Sequence, residues 1–142
     1  MNDQARPSLG LRAGFLALFV FATLGLLLES LHGFKVGLYL DVGNEARRLL
    51  WRLAHAHGAL LGLVNIAYAL TARAWPALED SVSERALLAA LVLMPVGFFL
   101  GGAFADGADP GASVGLAAAG GVALLFGLGR FSVRLLRRAG SL

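Results

Sequence analysis

Four long apolar runs, parted by short polar stretches, limit this chain more than any other feature. They cover about residues 12–33, 50–72, 86–104 and 110–129. A helix needs roughly 20 mostly apolar residues to cross the hydrocarbon core of a bilayer, and each run supplies that length. The chain is 58% hydrophobic and 15% charged, whereas ordinary soluble domains are roughly 25% charged. The expectation is an all-α integral membrane protein, a four-helix transmembrane bundle with short loops and a basic amphipathic C-terminal tail. Residues 1–142 read as one membrane domain without a flexible linker or an internal repeat.

Local signals set the expected ends of each span. Arg6 and Arg12 precede the first run. A basic start before an apolar stretch also describes a signal peptide, but this run closes in Leu-Leu-Leu-Glu, not in a small-x-small cleavage site. The connection 34–50 holds two glycines and Asp41, and Asn44 is placed to cap a new helix. Tyr39, Trp51 and Trp75 suit the aromatic belt at a membrane surface. Ser81-Val-Ser-Glu84 reads as a capping box. Pro95 falls within the third run, where a kink is expected. Asp109-Pro110 reads as N-cap and first residue of the fourth helix.

Small residues at four-residue spacing let helices approach closely in lipid. The candidates are Gly58/Gly62, Gly97/Gly101, Gly111/Gly115 and Ala117/Gly121. Lys and Arg residues decide orientation. Alternate segments carry eight against four of them, so both termini are expected on the cytoplasmic side of an inner (plasma) membrane. The first loop, with Lys35, Arg47, Arg48 and Arg52, opposes that bias.

Polar groups inside an apolar span are costly, so each one asks for a role. Glu29 and His32 lie three apart on the first span, the Glu-x-x-His spacing that bundles use to hold a metal. His55 and His57 open the second span, so all three histidines are expected at one membrane depth. At about 100° per residue His55 and His57 point some 200° apart. Either His55 faces the membrane interface or the helix begins only near His57. His57, Leu61, Asn65 and Tyr68 form one stripe at helical spacing, with Thr71 near its end.

Three readings of these residues compete. In one, His32, His55 or His57 ligates a haem iron, or Glu29, His32 and His57 ligate a transition metal. In another, Glu29, His57, Asn65 and Tyr68 line a path through a small transporter or channel protomer. In the third, the histidines sit among headgroups and Asn65 and Tyr68 cross-link helices in a non-catalytic accessory or assembly subunit. Arg47, Arg48 and Arg52 are candidates for an anion or for lipid headgroups. Partners are expected to be the bilayer and a second copy or a larger membrane complex. Nucleic acid is not expected, because the basic residues flank apolar runs.

The run His55-Ala-His57-Gly58-Ala-Leu-Leu-Gly62 resembles histidine-bearing segments of membrane haem and copper proteins, including haem–copper oxidase subunits. The resemblance implies a haem or metal ligand at these histidines. It does not imply oxidase activity, since such subunits carry more spans and more histidines. No cysteine is present, so thiolate chemistry is excluded. Neither a nucleophile–base pair nor a phosphate loop is visible, and enzymatic activity of the chain alone is not expected.

Overall fold

A computed structural model describes residues 7–139. Arg6, counted in the charge bias, lies outside the described residues. The elements are α1 (Leu9–Gly33), a single turn α2 (Gly37–Leu40), α3 (Glu45–Ala74), α4 (Ser81–Ala103) and α5 (Val114–Ala139). Short 3-10 turns, Val42–Asn44 and Pro76–Leu78, lead into α3 and out of it. Four of the five helices are long and apolar enough to cross a membrane, and no strand forms among the described residues.

Helix starts follow side chains that occupy the orphan amides of the first turn. Ser8 accepts from the Leu11 amide and Asn44 from the Arg47 amide, both at 3.3 Å. At α4 the expected capping box is replaced. Asp80 is the N-cap, and its Oδ2 accepts from the Ser83 amide at 3.2 Å. Glu84 then has no cap to close, and its Oε1 accepts from the Gly10 amide at 3.2 Å, tying the start of α1 to α4.

The fourth long helix starts later than Asp109-Pro110 suggests. Asp109 Oδ1 accepts from the Gly111 amide at 2.9 Å, and Gly111 takes a left-handed conformation, φ 68°. Asp106 and Asp109 exchange backbone bonds at 3.1 and 2.9 Å. The carboxylate is held in this turn, so the helix begins at Val114. It then runs without a break through the basic tail to Ala139. α4 likewise continues through Pro95, which is fully buried.

The backbones pack in chain order, α1 on α3, α3 on α4 and α4 on α5. Ala17, Leu61, Leu91, Met94 and Ala117 close the centre. Glycines set the spacing where helices cross. A Cβ at Gly14 would lie 2.7 Å from the Gly62 carbonyl, and one at Gly97 would lie 2.3 Å from the Ala117 nitrogen. On α5 the contact face is Ala117, Gly120 and Gly127, not Gly111 and Gly115. Gly111 precedes the helix, and a Cβ at Gly115 would meet nothing.

Candidate functional site

Two polar ends flank the apolar middle. At the Tyr39 end, α3 closes the last turn of α4. Asn44 Nδ2 donates to the Ala105 carbonyl at 2.9 Å, and Trp51 Nε1 donates to the Phe99 carbonyl at 3.1 Å. Arg47 Nε donates to the Gly102 carbonyl at 3.4 Å. These carbonyls are the negative end of the α4 dipole, and a guanidinium is favoured there. Arg47 therefore has a capping role. Arg48 reaches Glu45 at 3.9 Å. Tyr39 is buried, and its ring stacks on Trp51, which stacks on Phe99, at centroid distances of 6.4 and 5.8 Å. Tyr39 is thus a packing residue, while Trp75 stays exposed as a belt residue would.

The three histidines part company here. His55 turns toward α1, where its Nδ1 lies 2.6 Å from the Phe21 carbonyl oxygen. Its ring lies over Gly25, at which a Cβ would come within 2.4 Å of His55 Cε1. His57 turns toward α4, its Nδ1 2.9 Å from the Leu53 carbonyl and its ring 4.9 Å from that of Phe98. His32 is exposed, edge-on to Tyr39 at 6.5 Å. Since α3 is already helical from Glu45, the angular conflict between His55 and His57 is resolved by opposite facing. The expected grouping of Glu29, His32 and His57 around one point does not form. Among the described residues, no three histidine, aspartate or glutamate side chains gather closely enough to share an ion.

What does form is a cleft between α1 and α3. It is a cavity of about 660 Å³, lined by Gly25, Glu29, Arg52 and His55 with apolar residues such as Leu28 and Leu53. Glu29 and Arg52 share the cleft without forming an ion pair in the described structure. A carbonyl oxygen only accepts, so each Nδ1 of His55 and His57 carries the proton it donates. The neutral imidazole then keeps its lone pair on Nε2. Donation from one ring nitrogen to a backbone carbonyl is the usual way a ligating histidine is oriented.

At the Asp80 end the α3 stripe meets α4. Asn65 Nδ2 donates to the Leu61 and Leu87 carbonyls at 2.9 and 3.3 Å, and its buried Oδ1 has no partner. The Tyr68 hydroxyl donates to the Asp80 carbonyl at 2.7 Å and accepts from the Asp80 amide at 3.0 Å. Because one amide oxygen is unpaired, Asn65→Leu is expected to shift unfolding stability by no more than ~0.6 kcal/mol, checked by thermal denaturation in detergent.

The best-connected polar group among the described residues is one the sequence did not single out. The Asp80 side chain is only 7% exposed. It accepts from Ser83 Oγ at 2.6 Å and from Arg130 Nη2 at 3.2 Å, with Arg130 Nε on its other oxygen. The Arg130 guanidinium, aided by Ser83, holds the Asp80 carboxyl far below the usual carboxylate range, against the opposing effect of burial. The signal was present as four arginines along a tail and one aspartate in a loop, but their distance in sequence hid the pairing. Comparison with protein families, curated proteins and solved structures gives no match to this chain.

Proposed function

We propose that this is a small multi-pass inner-membrane protein, both ends cytoplasmic, that binds haem or a transition-metal ion in the α1–α3 cleft. His55 Nε2, on the α3 wall, is the first ligand, and Glu29 lines the same cleft from the α1 wall. The observation that carries this reading is the His55 Nδ1–Phe21 carbonyl bond beside a mostly apolar cavity. It leaves a fixed imidazole lone pair where a flat apolar cofactor or a metal ion could be held. His32 and His57 belong to other surroundings, so His55, and neither of them, is the residue on which binding depends.

The test is the absorption spectrum and metal content of the purified protein, before and after adding haemin, Cu(II) or Zn(II). A Soret band or one metal per chain is expected in the native protein and in His57→Ala. Loss of at least tenfold in affinity is expected in His55→Ala. A colourless, metal-free protein that takes up none of the three overturns the proposal, as does equal binding by His55→Ala.

An accessory role within a larger membrane complex is the second reading, and burial supports it. The apolar windows of α1 and α5 are each 17% buried, against 39% and 44% for α3 and α4. Both outer helices thus have wide faces for lipid or for a partner subunit. Stoichiometric co-purification of another membrane protein in mild detergent would favour this reading.

A further inference from the structure

The last three turns of α5 carry Arg130, Arg134 and Arg137 at i, i+4 and i+7, which places them along one side of the helix. Together with Leu125, Phe126 and Val133 they line a hollow of about 570 Å³. Gly129 also lines it, and a Cβ there would meet nothing, so the missing side chain leaves the hollow open. Leu125 and Phe126 lie toward the membrane-crossing part of α5 and the arginines toward its end, with Val133 among them. Two of the arginines are already positioned. Arg130 is bonded to Asp80, and Arg134 Nη1 donates to the Glu79 carbonyl at 2.6 Å. Arg137 makes no such bond among the described residues. Asp80 pairs with Arg130 and Arg134, and among the described residues the lining of the hollow holds three guanidinium groups and no carboxylate, so an excess of positive charge remains beside an apolar groove.

We propose that this hollow binds one acidic phospholipid, its phosphate on Arg134 and Arg137 and its acyl chain along Leu125, Phe126 and Val133. The chemistry recognised is a phosphate anion, and the apolar floor selects a lipid over free phosphate. Holding Arg134 in advance lowers the entropy lost when the headgroup docks. The inference stands apart from the proposed cofactor site, which lies between α1 and α3.

The test is the full chain reconstituted in phosphatidylcholine with a minor fraction of phosphatidylglycerol, re-extracted in mild detergent and weighed intact by mass spectrometry. One retained phosphatidylglycerol per chain is expected. Arg137→Gln, which breaks no bond in the described structure, should reduce retention about fivefold, the factor that corresponds to one interfacial arginine. Arg134→Gln should do so as well, with its thermal midpoint recorded as a check on folding. Arg12→Gln, an equal charge loss at the start of α1, should leave retention unchanged. Equal loss in Arg12→Gln and Arg137→Gln, or equal retention of phosphatidylcholine, overturns the site. Displacement of the lipid by millimolar inorganic phosphate shows a free-anion site and overturns the lipid assignment.

Discussion

Gly97→Ala is expected to force α4 and α5 apart and to cost about 3 kcal/mol, the upper end of the usual penalty for overpacking. The new methyl would lie 2.3 Å from the Ala117 nitrogen and 2.9 Å from the Leu116 carbonyl carbon. Both are backbone atoms of a helix and cannot rotate out of the way. Gly58→Ala is a useful contrast. The nearest atoms to its methyl would be those of the half-buried Phe21 ring, at 2.2 Å, and a side chain gives way more readily than a helix backbone. Gly115→Ala and Gly129→Ala meet nothing within 4 Å, and each should be neutral or slightly stabilising because alanine favours helix. Thermal unfolding of the four variants in one detergent orders them. A Gly97→Ala protein as stable as Gly115→Ala would show that α4 and α5 do not cross at this distance.

The contrast among these glycines also marks how far the sequence could be read. Apolar length alone located four helices, because a lipid-crossing helix leaves a signal some 20 residues long. Asn44 was legible as a cap because capping is local. Periodicity placed His57, Leu61, Asn65 and Tyr68 on one side of α3, and their contacts lie toward α4 and the Asp80 loop. Periodicity gives angles between residues of one helix but not the direction of its neighbours. That is why Glu29, His32 and His57 looked able to meet, while α3 in fact turns His55 to α1. It is also why four-residue spacing picked Gly111 and Gly115 beside Ala117, when the α5 crossing uses Ala117, Gly120 and Gly127. The α4 start was misread for a different reason. Asp80 and Ser81 are both good caps, and the choice falls to Asp80 because Tyr68 and Arg130, distant in sequence, hold it in place.

Asp80→Asn is the second substitution expected to have a large effect, and its effect should depend on pH. The carboxylate joins the Pro76–Asp80 connection, the start of α4 and the basic end of α5. Arg134 Nη1 stands 3.9 Å from Oδ1 as a second cation. The two Ser83 bonds alone set a scale of about 2 kcal/mol, since hydrogen bonds to a charged group contribute roughly 1.5–3 kcal/mol. Arginine 130 is 42% exposed in its side chain, so solvent screens its share. The folded carboxyl titrates below its unfolded counterpart. Its stabilisation is therefore complete above the ordinary carboxylate range and fades as pH falls below that range toward the folded value. The native protein should exceed Asp80→Asn in thermal midpoint by several degrees at pH 7, and the gap should hold until the pH enters the ordinary carboxylate range, at about 4, and narrow as it falls from there to pH 3. The other carboxylates are common to both proteins and cancel in the difference. A gap that stays constant from pH 7 to pH 3 would mean that Asp80 acts by shape and hydrogen bonding alone. In that event Arg130→Gln should be nearly silent, whereas an ionic clamp predicts that Arg130→Gln costs much less in the Asp80→Asn background than in the native one.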